Sequence, residues 1–296
     1  MAEAERVAAP PRERDFRLLV AAMRPQQWSK NLLVFAGLLF AARYDEPAKW
    51  AAATAAFAAY CAASSAAYIV NDVFDVEEDR LHPLKRDRPV ASGMLAPDRA
   101  LAYAALLALL AVGVIAWFGS ASLAYLAAFL ALQVAYSLRL KQVVLIDVMA
   151  IAGLFVIRAA AGAEVVNVRI SPWLIVCTAL LALFLALAKR RGELVSTRGE
   201  GRAVLGGYSL PLLDQLVSVV AACTIVAYSL YTFNAREGSA MMATIPFVVF
   251  GLFRYLLLMH REDLGEEPER VLLTDVPILA TVAAWAVTSA VILGLT

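Results

Sequence analysis

Between Leu101 and Leu138 the chain runs for 38 residues without a charged side chain. A soluble helix hides only one face, so a stretch of this kind has no place in an ordinary water-surrounded core. A bilayer accommodates it, each crossing needing about 20 apolar residues. The length suits two crossing helices with a hairpin near Gly119-Ser120. Ala51–Val70, Ile170–Ala188, Gln215–Asn234 and Val276–Thr296 are uncharged runs of about one bilayer each. Three further spans carry isolated charges: Gln27–Tyr44 with Lys30, Val143–Ala163 with Asp147 and Arg158, and Ala240–His260 with Arg254. Composition agrees, at 62% hydrophobic and 17% charged, against roughly half and a quarter in soluble domains. The expectation is an all-α polytopic membrane protein with nine transmembrane helices. A single domain is expected over residues 17–296, after a polar tail over 1–16 expected to be disordered. No cleavable leader is expected, because the first apolar stretch lacks a small-residue cleavage pattern.

Lys and Arg set the orientation. With nine spans, the N-terminal arm and the loops after helices 2, 4, 6 and 8 hold 19 basic residues, and the opposite side holds four, Arg43, Lys49, Arg169 and Arg236. The first side is therefore expected to be cytoplasmic, with the C-terminus outside the cell membrane. A net charge of +1 offers no bulk basic field, so no nucleic-acid partner is expected. Cys61, Cys177 and Cys223 all sit in apolar runs without metal or disulfide spacing and read as small packing residues. His82 and His260 are isolated and show no metal-like neighbours.

The second span ends in Asn71-Asp72-Val73-Phe74-Asp75-Val76-Glu77-Glu78-Asp79. Asp72, Asp75 and Asp79 are spaced i, i+3, i+7, and Asn71 and Asp75 i, i+4, which puts them on one helical face. Clustered carboxylates raise one another's pKa unless a cation lies between them. An oxygen-only donor set suits Mg²⁺ completed by phosphate and water oxygens, so Asn71, Asp72, Asp75 and Asp79 are the candidate metal ligands. Arg80, Lys85, Arg86 and Arg88 follow. Cations beside an acidic metal cluster make sense if phosphate lies between them, although the same residues also serve the positive-inside pattern. Asp147 and Arg158 are costly facing lipid and should face a cavity or a partner. They lie eleven residues apart, about 16 Å along a helix, so they do not pair with each other.

Asn71-Asp72-x-x-Asp75-x-x-x-Asp79, followed by Arg88-Pro89 and Ser92-Gly93, resembles the first signature of the UbiA-type intramembrane prenyltransferase superfamily. The resemblance implies nine helices around a central cavity open to the cytoplasmic side, Mg²⁺ dependence and cleavage of a diphosphate ester. Most members of that superfamily carry a second Asp-rich motif after helix six. Here that position reads Ala188-Lys189-Arg190-Arg191-Gly192-Glu193-Leu194, where anion-binding groups replace metal-binding ones. Together with Arg24-Pro25-x-Gln27-Trp28-x-Lys30-Asn31, Tyr136-Ser137-x-x-Leu140-Lys141 and Asp147-Val148, the pattern is similar to the decaprenyl-phosphate phosphoribosyltransferase branch.

That branch implies transfer of 5-phosphoribose from phosphoribosyl pyrophosphate to a polyprenyl phosphate, feeding cell-wall arabinan synthesis. On this reading Asp72, Asp75, Lys30 and Lys189 are catalytic. Lys30, Lys189 and Arg190 are candidates for the 5-phosphate and the acceptor phosphate. Lys141 with Arg86 or Arg88 would close over the diphosphate. Tyr68 and Tyr136 would position ribose or act as interfacial aromatics. Asn31, Asn71, Asp147 and Glu193 complete the candidate substrate site. Membrane lipids are expected neighbours, and self-association is left open. Two other readings compete. A prenyltransferase using prenyl diphosphate would want a second acidic cluster, which is absent. A transporter would use the intramembrane charges, but no inverted repeat of broken helices is evident.

Overall fold

A computed structural model of the chain describes residues 11–40, 46–81, 85–169, 171–196, 203–234, 239–261, 271 and 274–295. Its helices are α1 (Pro11–Met23), α2 (Ala36–Phe40), α3 (Pro47–Phe74), α4 (Val76–Leu81), α5 (Pro97–Ala116), α6 (Ser120–Leu138), α7 (Ile146–Val165), α8 (Pro172–Ser196), α9 (Leu210–Asn234), α10 (Ile245–Arg261) and α11 (Val276–Leu295). Short 3₁₀ segments cover Leu140–Gln142, Ala203–Gly207 and Ser239–Thr244, and a longer one covers Pro25–Phe35. No strand occurs among the described residues.

Seven helical stretches among the described residues are long and apolar enough to cross a bilayer. Leu101–Leu138 divides into α5 and α6 as expected, turning at Gly119, whose φ of +101° only glycine adopts easily. Leu106, Leu109 and Leu110 on α5 are exposed. Such a face suits lipid, where the helix satisfies its own backbone and apolar side chains need no cover. The chain is a multi-pass helical membrane protein.

Three expectations are corrected. The first span, Gln27–Tyr44, is not one α-helix: Pro25–Phe35 is 3₁₀ and only Ala36–Phe40 is α, while 41–45 lie outside the described residues. Pro25 stops α1, because the residue before a proline is pushed out of the α region. The polar stretch after it then bonds sideways to α3, with Trp28 Nε1 donating to Ser65 Oγ at 3.1 Å and Asn31 Nδ2 to Cys61 Sγ at 3.3 Å. The expected disordered tail already contains the start of α1 at Pro11; residues 1–10 lie outside the described residues. The charged loop expected from Lys189 onward is helix as far as Ser196, so Lys189, Arg190, Arg191 and Glu193 all stand on α8. His82 also falls outside the described residues.

The chain divides into two compact units, Met1–Leu32 with Thr54–Leu130 and Leu33–Ala53 with Ala131–Thr296. In the first, Ala22 of α1, Ala66 and Ile69 of α3, Val90 and Leu95 of the following segment, and Ala100 and Ala104 of α5 form one core. That core fixes α1 and residues 85–96 around the polar end of α3. In the second, Phe184 and Leu187 of α8, Leu213 and Val217 of α9, and Leu252 and Met259 of α10 form the main core. Here too residues 33–35 and α2 meet α7 backbone to backbone. A Cβ on Gly162 would lie 1.9 Å from the Val34 carbonyl oxygen, and one on Gly37 would lie 2.6 Å from Ala163 Cα.

Candidate functional site

The apolar run of α3 delivers Asp72 to the end of the helix, where α4 takes over after a one-residue break at Asp75. Asp72 and Asp79 are each only 2% exposed, so neither is a solvated helix end. One nitrogen, Arg88 Nη1, donates to Asp72 Oδ1 at 3.1 Å and to Asp79 Oδ2 at 2.5 Å. Arg24 Nη2 also donates to Asp72 Oδ1, and Lys85 Nζ stands 3.9 Å from Asp79 Oδ1. Asn71 Nδ2 donates to Asp75 Oδ2 at 2.7 Å. The Arg24 guanidinium lies 5.1 Å from the centre of the Tyr68 ring, in cation–π range.

Among the described residues, no group of three or more acidic, histidine or cysteine side chains converges to hold a metal ion. Asp75 turns to Asn71, while Asp72 and Asp79 close on Arg88. The one-stripe spacing is therefore real, with its side chains paired to Asn71 and Arg88. The donors nonetheless fit a hard divalent cation. They are all oxygens, and Asp72 and Asp79 already bracket a positive charge within 3.1 Å.

A second polar network lies at the start of α7 and the end of α8. Asp147 is fully buried and Arg190 is 1% exposed. Arg190 Nε donates to Asp147 Oδ2 at 2.5 Å, Nη1 donates to Glu193, and Nη2 donates to Tyr136 Oη at 3.1 Å. Tyr208 Oη donates to Asp147 Oδ1 at 2.7 Å and accepts the Leu145 N–H at 2.8 Å. Burial pushes the Tyr208 phenol above its ordinary pKa, and the neighbouring Asp147 carboxylate acts in the same direction. On the same helix Arg191 Nε donates to Asp214 Oδ1 at 2.6 Å and Nη1 to the Met259 carbonyl at 3.2 Å. The run Lys189-Arg190-Arg191 is therefore not an open cationic cluster: Arg190 and Arg191 are held by carboxylates. A guanidinium this deep needs such partners, because an unpaired charge there costs several kcal/mol.

The remaining expected residues are scattered. Lys30 and Asn31 lie on Pro25–Phe35, Lys30 half-buried and Asn31 fully buried, accepting a 3.4 Å bond from Ser64 Oγ. Lys141 is half-buried on the Leu140–Gln142 turn, Lys189 is half-buried on α8, and Arg86 is exposed. Arg158 does not reach Asp147: it donates to the Leu154 carbonyl at 3.0 Å and lies over the Phe155 ring. Arg24 and Tyr208 were not among the expected site residues. Arg24 sits at φ +52°, which no periodicity reveals. Tyr208 lies between helices, its one signal being the Gly206-Gly207 pair before it.

The model of the UbiA prenyltransferase family matches residues 31–293. The chain belongs to the UbiA prenyltransferase family. Its UbiA-family relatives include the decaprenyl-phosphate phosphoribosyltransferase of Mycolicibacterium smegmatis, 34% identical over 96% of this chain and 94% of the relative. The enzyme of the same name from Mycobacterium tuberculosis is 33% identical over 91% and 92%. A solved UbiA homologue from Archaeoglobus fulgidus, bound to DMAPP and Mg²⁺, superposes with a TM-score of 0.71 over 94% of this chain and 99% of that one at 16% identity, a likeness of fold. In this UbiA-family chain the acidic helix end thus falls on α3–α4 and the Arg190 network on α7–α8.

Proposed function

We propose that this chain transfers 5-phosphoribose from phosphoribosyl pyrophosphate to a polyprenyl phosphate, decaprenyl phosphate by the name of its relatives, releasing pyrophosphate. The observation that carries this reading is the 34% identity to a decaprenyl-phosphate phosphoribosyltransferase along almost the whole of both chains. Lys189, standing where most of the superfamily has acids, supports it.

Asp72 and Asp75, with Asn71 and Asp79, are the residues that would hold Mg²⁺. Held there, the ion would supply neutralisation of charge on the diphosphate. Arg24, Lys85 and Arg88 surround the same carboxylates with positive charge, which phosphate oxygens can share. The bond from ribose C1 to the diphosphate oxygen breaks, and pyrophosphate leaves with the electron pair. An oxygen of the acceptor phosphate forms the new bond to C1 from the opposite face. That oxygen is already anionic, so the step needs no strong base. Catalysis is then positioning and electrostatic stabilisation. Lys30 and Lys189 hold the 5-phosphate and the acceptor phosphate, and Lys141 closes over the diphosphate. Arg190, Asp147 and Glu193 tie α7 to α8, the helix that carries Lys189. The accompanying arrangement is nine spans around a cavity open to the cytoplasm, with the N-terminus inside and the C-terminus outside. The 19-to-4 distribution of basic residues supports this orientation.

The test supplies purified protein with labelled phosphoribosyl pyrophosphate or labelled prenyl diphosphate, each with decaprenyl phosphate and Mg²⁺. Label should reach the lipid from phosphoribosyl pyrophosphate only. EDTA should abolish transfer, and Asp72→Asn should lower the rate roughly 10²–10³-fold, the scale of losing one preorganised charge-stabilising group. Transfer of the prenyl group alone would make the chain a prenyltransferase and overturn the substrate assignment.

A further inference from the structure

Ala203–Tyr208 belongs to none of the motifs above, yet it touches the Lys141 segment at two points. Val204 and Tyr208 belong to the main core of the second unit, and Leu205 between them is buried too, which fixes the segment from beneath. Gly207 faces Val144 so closely that a Cβ there would lie 2.3 Å from Val144 Cγ2. The next residue, Tyr208, accepts the Leu145 N–H and donates to Asp147 through the same hydroxyl, at 2.8 and 2.7 Å. Leu145 itself has φ +67°. A branched side chain in that region is strained by roughly 1–2 kcal/mol and persists only where its surroundings hold it. Leu145 is 45% exposed, so burial of its side chain is not what holds it. The Tyr208 hydroxyl meets its backbone from 63 residues away in the chain.

We propose that Gly207 and Tyr208 form a clasp that positions the Leu140–Gln142 turn, making Tyr208 a positioning residue for phosphate binding by Lys141. The chain leaves α6 at Leu138, makes the Lys141 turn, and enters α7 at Ile146. Only seven residues join the two helices, and the clasp grips the last two of them. Gly207 gives the close approach, and the hydroxyl ties the strained Leu145 to the first turn of α7. Losing the hydroxyl leaves both helices in place and frees the turn between them. The proposal rests on the reading that Lys141 contacts substrate phosphate.

Tyr208→Phe in the full-length protein tests it by two measurements. In hydrogen–deuterium exchange, peptides spanning 139–147 should exchange faster than in the parent, while peptides from the middle of α9 should not change. In steady-state kinetics, KM for the donor and the inhibition constant of pyrophosphate should both rise roughly tenfold, with kcat changed less than about threefold. Gly207→Ala should act in the same direction, and Val144→Ala added to it should restore the parent values, since the clash is with Val144 Cγ2. This pair stands in if Tyr208→Phe does not fold. Unchanged exchange over 139–147, an unchanged pyrophosphate constant, or a loss confined to kcat would each overturn the clasp. Pyrophosphate is released from any diphosphate donor. If phosphoribosyl pyrophosphate proves not to be the substrate, the same constants measured with the working donor still decide the inference.

Discussion

Asp147 shows how a single residue's cost reveals its partner only in three dimensions. Its charge in an apolar run demands compensation, and helix geometry already excludes Arg158. The partner is Arg190, 43 residues on and itself fully buried. Arg190 had looked like open positive charge for a phosphate; three of its nitrogens are instead bonded to Asp147, Glu193 and Tyr136. Removing one member of such a pair strands the other. Asp147→Ala should therefore destabilise the protein by about 3–5 kcal/mol, seen as a lower thermal midpoint in detergent. Asp147→Leu combined with Arg190→Leu should recover much of that stability, because apolar pairs replace buried ion pairs at little cost. A midpoint unchanged by Asp147→Ala would mean the network carries no stability.

Among the elements, the first span departs furthest from its sequence reading. Hydropathy sees an apolar stretch with one lysine, but Pro25 and the side-chain bonds of Trp28 and Asn31 to α3 draw it into a 3₁₀ path. Runs of 3₁₀ longer than three or four residues are uncommon, since their hydrogen bonds are poorer; tertiary bonds make up the difference here. The same element lies against α7 with Gly162 beneath the Val34 carbonyl. Because the obstacle is backbone, no side-chain rotation relieves a methyl there. Gly162→Ala should cost at least the roughly 1–3 kcal/mol typical of overpacking, with a matching drop in folded yield. Gly113→Ala on α5, where a Cβ meets nothing within 4 Å, is the neutral control. Equal yields for the two variants would refute the close approach.

For the whole molecule, the bilayer supplies what a soluble core would not. Long apolar helices such as α5 and α6 remain largely uncovered by protein, and lipid is the solvent for those faces. The proposed orientation, drawn from the basic-residue asymmetry, puts the acidic end of α3 on the cytoplasmic side. An N-terminal fluorescent fusion should glow in the cytoplasm and a C-terminal alkaline phosphatase fusion should be active outside the membrane. Both termini on one side would exclude an odd number of spans.

The sequence by itself determined the solvent, the helix class, most of the spans and the acidic stripe on α3, because these follow from local periodicity and charge. Spacing put Asp72 and Asp79 on one face, and the Asn71–Asp79 signature already carried the family. Tertiary structure alone decided which cation meets which carboxylate: Arg24 and Arg88 at Asp72, Arg190 at Asp147, Tyr208 joining Asp147 to Leu145. Those pairings join residues 16 to 63 positions apart. Chain proximity sets no preference at that range, and the partner is whichever charge the packing of helices brings within hydrogen-bond distance.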